Sequence, residues 1–184
     1  TAVGSGALRY LTTAFNNTAI GFQSLQDATT SHSNTSAGSY NMENITTGVE
    51  NTAVGRASLS TGTSASYNAA IGFQSLYSLT TGSANTALGR NALYSATTAT
   101  NNVAVGSAAL YTTTSSNLTA VGFNAMHFTT TAVNNTAIGY YTLRLNTTGG
   151  DNTALGYYAL EALTTGTRNT ALGSGALKVG TTGT

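Results

Sequence analysis

The sequence is short of charged residues and has neither proline nor cysteine. Charged residues make up 6% of its 184 residues, against about 25% in an average protein. Six basic and five acidic side chains leave a net charge of +1, which excludes a strong electrostatic grip on nucleic acid or an anionic membrane. The lack of cysteine excludes a disulfide framework and a thiolate metal site. No apolar run approaches the roughly 18 residues of a transmembrane helix.

Threonine and glycine are abundant instead, with 37 and 21 residues, and they recur with a fixed period. The glycine that follows an alanine-aliphatic pair returns every 17 residues, apart from one 16-residue interval between Gly106 and Gly122. We call this glycine position 0 and count other positions from it. The consensus, found eleven times, is N-T-A-[V/I/L]-G-x-x-[A/S]-[L/M]-x-x-x-T-T-G-x-x. A repeat of this kind is typical of a solenoid, in which each repeat packs on its neighbours.

The repeat runs through the whole chain, which predicts a single repeat solenoid over residues 1–184. The chain starts inside one repeat and ends just short of the next, without a visible capping repeat. Because open solenoid ends expose apolar core, we expect a segment of a longer fibre.

The repeat predicts an all-β fold, a parallel β-solenoid or β-roll of about eleven coils. The T-A-[V/I/L]-G block combines β-branched residues with a glycine bend, as strands do. No segment is long enough for an amphipathic helix, and the absence of proline leaves every backbone N–H free for a ladder. The second apolar pair, such as Ala92-Leu93, fits either a second strand or a helical turn. Coils about 4.8 Å apart give a length of roughly 50 Å.

Several columns of equivalent residues have a structural interpretation. Alanine at −2, the aliphatic residue at −1, the small residue at +3 and the leucine or methionine at +4 are predicted to form a thin core. Asparagine at −4 is predicted to form an amide ladder between coils, which Leu118 interrupts. The structural columns are represented by Asn51, Asn85 and Asn135, by Gly55, Gly89 and Gly139, and by Leu93.

The alanine and the aliphatic residue are adjacent, and neighbours in a strand point to opposite faces. One interpretation is that the second face is covered by another chain, since strands apolar on both faces are usually buried on both. The other is that the pair occupies a corner where both side chains point inward. We favour the first, and therefore expect a homo-oligomer.

The column at +5 carries the candidate ligand surface. Tyr77, Tyr94, Tyr111 and His127 occupy this position in four successive repeats and are predicted to stack. Exposed aromatic rows bind sugars or protein surfaces. The alternative is that the tyrosines only cover a β surface, for which they have good propensity.

Nothing in the sequence has the pattern of a catalytic or metal site. The two histidines, His32 and His127, are not at ligand spacing, and the five acidic residues fall at unrelated positions. No serine lies in a G-x-S-x-G elbow. We therefore expect no enzyme activity, no catalytic residue, no metal and no cofactor.

The blocks N-T-A-V-G at 51–55 and N-T-A-I-G at 135–139 resemble the head repeats of YadA-like trimeric autotransporter adhesins. They are also similar to N-T-A-[V/I]-G repeats of phage tail fibres and other surface fibres. The resemblance covers the whole chain, although the T-T-G connector and the 17-residue period depart from the shorter adhesin repeat. It implies a left-handed β-roll packed as a parallel homotrimer, located at a cell or virion surface, that adheres to host matrix, cells or glycans.

Two functions follow as hypotheses. The first is a structural and adhesive segment of an extracellular or virion fibre, with itself as partner and a host-surface glycan or protein as ligand, and with no nucleic acid and no membrane insertion. The second is an ice-binding β-solenoid that uses threonine columns. Ice-binding ranks place both threonines of a Thr-x-Thr on one face, whereas adjacent threonines in a strand alternate. The first hypothesis is therefore preferred.

Overall fold

The computed structural model describes residues 1–180 and residue 182 and forms a parallel β-solenoid of about ten turns. Eleven short strands form one sheet in chain order, each pairing in parallel with the next. No helix occurs in the described residues. The strands are β1 (Ala2–Val3), β2 (Thr18–Ile20), β3 (Thr35–Ala37), β4 (Thr52–Val54), β5 (Ala69–Ile71), β6 (Thr86–Leu88), β7 (Val103–Val105), β8 (Thr119–Val121), β9 (Thr136–Ile138), β10 (Thr153–Leu155) and β11 (Thr170–Leu172). The predicted fold class is thus confirmed, with one coil per repeat.

The strands have an inner and an outer face. Alanine at −2 points inward and is buried, as at Ala53 and Ala87. The aliphatic residue at −1 points outward, and Val54 and Leu88 are 40% and 45% exposed. The prediction that the aliphatic column belongs to the core is therefore wrong, and the corner interpretation fails with it. The physical reason is the two-residue periodicity of a strand, which a flat three-residue segment obeys.

The repeated glycines stack directly on one another. Their φ angles are positive, for example 133° at Gly72 and 139° at Gly89. A Cβ atom on Gly72 would lie 2.6 Å from the carbonyl oxygen of Gly89. Glycine is needed at this position both for its backbone conformation and for the close approach of successive coils.

The segment after the glycine is neither a second strand nor a helical turn. Its residues at +2 and +4 have left-handed φ angles, such as 57° at Asn91 and 53° at Leu93. The N–H of Asn91 donates to the carbonyl of Phe73 in the preceding coil, whereas the N–H of Leu93 donates to the carbonyl of Ala109 in the following coil. Alternating φ signs thus direct successive N–H groups to opposite neighbours. The strain at non-glycine residues, about 1–2 kcal/mol each, is offset by these bonds and by complete burial of Leu93.

Two further interior columns lie at +7 and +10, and neither was predicted to belong to the core. Position +7 holds buried Ile45, Leu79 and Leu163, and also buried Thr113 and Asn146. Position +10 holds small residues such as alanine and glycine. The mixed chemistry at +7 hid this column, because its members share an inward direction but not a residue type.

The asparagine column closes each coil and links it to the next. In the coil of Asn51, the side-chain Nδ2 donates to the Ala65 carbonyl of the same coil at 2.7 Å. Its Oδ1 accepts the backbone N–H of Asn68 in the next coil at 3.0 Å. Asn85 makes the same pair of contacts, to Ala99 and Asn102. The side chain therefore satisfies buried backbone groups at a corner where the chain has no strand partner.

The 16-residue repeat is shortened in its threonine connector. Ser115 takes the place normally held by the +10 residue, since its carbonyl accepts from Asn102 Nδ2 at 2.8 Å. Leu118 occupies the asparagine column and is buried. The strand register is unchanged, with Val121 paired to Val105 and to Ile138. The residue that is lost, compared with the other repeats, lies between Thr114 and Ser115.

The threonines at +8 form a ladder of hydroxyl groups. Thr63 Oγ1 donates to the Thr80 carbonyl at 3.3 Å, and Thr80 Oγ1 donates to the Thr97 carbonyl at 2.9 Å. Thr130 repeats the contact with Thr147 at 3.0 Å. The last member of the column, Thr181, lies outside the described residues. The hydroxyl hydrogens of this column are thus used within the solenoid.

Candidate functional site

The aromatic residues at +5 form a continuous stack on one side of the solenoid. Ring centroids of Tyr77 and Tyr94 are 5.3 Å apart, those of Tyr94 and Tyr111 are 5.1 Å apart, and those of Tyr111 and His127 are 5.0 Å apart. The rings are within 8° of parallel. In-register coils impose this arrangement, since equivalent side chains lie above one another. All four side chains are half-buried, and the faces inside the stack are covered by neighbouring rings.

His127 ends the stack and is held there by several contacts. Its Nδ1 donates to the Ala108 carbonyl at 3.2 Å. Its ring also makes a T-shaped contact with the Phe128 ring, with the two centroids 4.5 Å apart. Burial lowers the pKa of His127, and the positive charge of Arg144 lowers it further, against the opposing effect of the Ala108 hydrogen bond. The neutral imidazole is therefore favoured in the folded chain.

In the three coils after His127, position +5 holds charged side chains. Glu161 lies between Arg144 and Lys178, with N–O distances of 3.7 Å and 4.0 Å. Arg144 also lies over the Tyr141 ring at 4.8 Å, and Lys178 lies over the Tyr158 ring at 4.4 Å. Opposite charges at equivalent positions in successive coils thus take over from ring stacking.

A second aromatic cluster covers positions +1 and +2 of three coils. Tyr140 stacks between Phe123 and Tyr157 at 5.3 Å and 5.4 Å, while Tyr141 packs on Tyr158 at 5.3 Å. Desolvation, and then the neighbouring tyrosines, raise the pKa of Tyr140. These rings pack mainly on one another, which agrees with a role in packing.

A notch of about 280 Å³ opens where the aromatic stack begins. Position +5 of the preceding coil is Ser60, and position +2 of the same coil is Ala57, so two small side chains leave a gap. Because Tyr94 covers one face of Tyr77, the other face of Tyr77 is turned toward the coil of Ser60. The remaining lining residues are Tyr40, Glu43, Arg56, Phe73 and Gln74.

The notch carries one charge of each sign. Arg56 lies over the Phe73 ring at 5.8 Å. Burial raises the pKa of Glu43, and the nearby carboxylate of Asp27 raises it further. Of the predicted ligand surface, only Tyr77 lines this notch. Sequence reasoning missed the other lining residues, although small residues at both +2 and +5 of one repeat were the available signal.

Within residues 1–180 and 182, no group of three His, Cys, Asp or Glu side chains could hold a metal ion. No helix in the described part of the chain has the length and apolar character needed to cross a membrane.

No family model, no curated protein and no solved structure matches the chain. The basis for a functional proposal is therefore the geometry of its outer faces, above all the exposed sheet and the notch.

Proposed function

We propose that the chain is a structural and adhesive segment of an extracellular or virion fibre, and that its copies associate in parallel through the outer sheet face. The observation that carries this proposal is the column of aliphatic residues at −1, which a single chain leaves exposed. Its exposed members are Val3, Ile20, Val54, Ile71, Leu88, Ile138, Leu155 and Leu172. The proposal involves no catalytic step, metal or cofactor, and no binding to nucleic acid.

The stripe of aliphatic residues supplies a large part of the area that association needs. Ten coil spacings of about 4.8 Å give a stripe roughly 50 Å long, and a width of about 10 Å gives some 500 Å² of surface, comparable to the largest apolar patch of a typical monomer. A stable interface needs about 800 Å² per partner. Exposed aromatic residues at +1 border the stripe and supply further area; they are Phe22, Phe73, Phe123, Tyr140 and Tyr157.

The charge pattern favours a second copy of the same chain as the occupant. None of the eleven charged residues lies in a strand. Parallel, in-register copies therefore bring no like charges together across the strand columns, and the charges nearest in sequence to the aliphatic column are Arg56 and Arg90 at +1. Three such faces meeting on a common axis produce the homotrimer that the resemblance to adhesin heads and tail fibres implies.

Ice binding is the second candidate, and the same face supports it. Seven of the eleven strands present Thr-Ala-aliphatic, so that the threonine at −3 and the aliphatic residue at −1 share the outer face, as in Thr52 and Val54. The ranks are in register. The threonines at +8 contribute less, because their hydroxyl hydrogens bond to the next coil.

Light scattering of the purified chain at micromolar concentration tests the oligomer, with thermal hysteresis measured on the same sample. We expect the mass of a trimer. The double variant Ile71→Lys with Leu88→Lys should lower the mass, whereas Thr81→Lys with Thr98→Lys, at exposed positions elsewhere on the coil, should not. A folded wild-type monomer would refute association, and a monomer with thermal hysteresis would establish ice binding. A dimer would retain the buried face but remove the three-fold arrangement.

A further inference from the structure

The geometry points to a carbohydrate-binding subsite in the notch at the start of the aromatic stack, and we propose that it holds one neutral pyranose unit of a glycan. This inference rests on the adhesive part of the proposed function, for which it names the ligand class.

The aromatic surface is the first reason. A pyranose ring packs its C–H face on the face of an aromatic ring, and Tyr77 turns a free ring face toward the coil of Ser60. Tyr94 and Tyr111 cannot do this because they have neighbours on both faces, and His127 at the other end stacks on Tyr111 and makes a T-shaped contact with Phe128. Tyr40 and Phe73 stand on the two coils that flank the notch. The stack thus offers one binding face, at this end.

The polar groups around this face suit hydroxyl groups. Glu43 supplies carboxylate acceptors, Arg56 supplies a planar set of donors, and Gln74 supplies both a donor and an acceptor. Ligand sites of this type combine apolar walls with a few converging polar groups. One positive and one negative side chain favour a ligand without net charge, so a neutral sugar fits better than an anionic or a cationic group.

The shape of the notch explains why only this coil forms the subsite. The residues at +5 are large in the three following coils, where they fill the column with rings. Only the coil of Ser60 combines a small residue there with alanine at +2. The notch spans the preceding and following coils as well, since Glu43 and Tyr77 lie one coil to each side of Ser60.

Saturation-transfer NMR with the purified chain and methyl glycosides of glucose, galactose and N-acetylglucosamine, each at millimolar concentration, tests the proposal. We expect transfer to the ring C–H protons of at least one glycoside and none to sorbitol, an acyclic polyol with the same hydroxyl chemistry. Tetramethylammonium serves as a competing probe, because aromatic rings beside a carboxylate also bind cations. Binding of tetramethylammonium in place of every glycoside would overturn the proposal.

Two variants fill the notch with side chains that occur at the same positions in other coils. Ser60→Tyr extends the stack by one ring, and Ala57→Gln places at +2 the residue found there as Gln23 and Gln74. Either variant should lose glycoside binding while its melting curve shows an intact fold. Ser107→Tyr, three coils away at +1, is the matched control and should bind like the wild type.

Unchanged glycoside binding in both filled variants, or no binding to the wild type, would refute the subsite. This result is distinguishable from failure of the proposed fibre role, because light scattering measures self-association through the strand columns, which contain none of the residues that line the notch. A trimer that binds no glycoside would support the structural role of the fibre and contradict the proposed sugar ligand.

Discussion

Single residues with unusual backbone angles determine the shape of every coil. The sequence shows that the glycine at position 0 recurs in every repeat. Its φ angle and its stacking on the next coil explain why no other residue replaces it. The left-handed φ angle of Leu93 and its equivalents could not be predicted. Leucine disfavours this conformation, which is stabilised by the hydrogen bond from its N–H to the Ala109 carbonyl and by its complete burial.

Replacing Gly72 by alanine should destabilise the chain strongly. The new Cβ meets the Gly89 carbonyl oxygen at 2.6 Å, at a φ angle of 133°. Backbone strain alone costs about 1–3 kcal/mol, and separation of the coils adds to it. Urea unfolding followed by circular dichroism measures the loss. Gly150→Ala is the control, because φ there lies outside the left-handed region and the nearest atom is 3.3 Å away; an equal loss in both variants would contradict the stacking argument.

Within a coil, each element is defined by which columns point inward. The sequence correctly indicated the alanine, small-residue and leucine columns, because each keeps to a few residue types of similar size in most repeats. It misassigned the aliphatic column, since an outward apolar residue has the same composition as an inward one. It missed the +7 column, where Leu79 and Asn146 are both buried but chemically unlike.

Replacing Leu93 by aspartate should unwind its coil and the adjacent ones. Leu93 is completely buried, and a carboxylate there has no partner for its charge. We expect a loss of more than about 4 kcal/mol, since truncation of a buried leucine to alanine already costs about 2–5 kcal/mol. Hydrogen exchange should show lost protection in coils next to Leu93 first. Arg90→Ser, on the exposed surface, should leave both protection and melting unchanged.

The His127 end of the stack should make stability depend on pH. Its folded-state pKa is lowered, so the unfolded chain binds the proton more readily and stability falls as the pH drops through the ordinary value of 6.5. His127→Tyr continues the stack of Tyr111 without this group and should flatten the profile in that range. Denaturant titrations at several pH values provide the measurement, and identical slopes for the two proteins would contradict the expected coupling.

Protonation of Glu43 should have the opposite effect on the stability of the folded chain, and at lower pH. Its folded-state pKa is raised from 4.5, so the folded chain binds this proton more readily, and its contribution to stability increases as the pH falls toward 4.5. The two groups therefore affect different parts of the profile, and the His127 variant isolates the upper one.

At the scale of the whole molecule, the 17-residue period predicted one coil per repeat, and the strand register confirms it from β1 to β11. The notch was less accessible to sequence reasoning. It arises from the absence of bulk at Ser60 and Ala57, and residues from three different coils meet around it. Such a site becomes visible only when the coils are stacked, whereas a column of tyrosines is visible in the sequence itself.

Because each coil contacts only its neighbours, deleting one complete coil should leave a shorter solenoid of the same kind. Removal of residues 90–106 joins Gly89 to Ser107 without changing the register, and it brings Tyr111 onto Tyr77 so that the aromatic stack re-forms. The N–H of Leu118, which donates to Asn102 in the full chain, then reaches the equivalent Asn85. We expect a cooperative melt with a slightly lower midpoint, since one inter-coil interface is lost. Removal of residues 90–97 shifts every later column out of register and should abolish the cooperative transition. If both deletions melt alike, stability does not depend on the alignment of identical columns, and the in-register stacking that underlies both the fibre role and the notch would have to be abandoned.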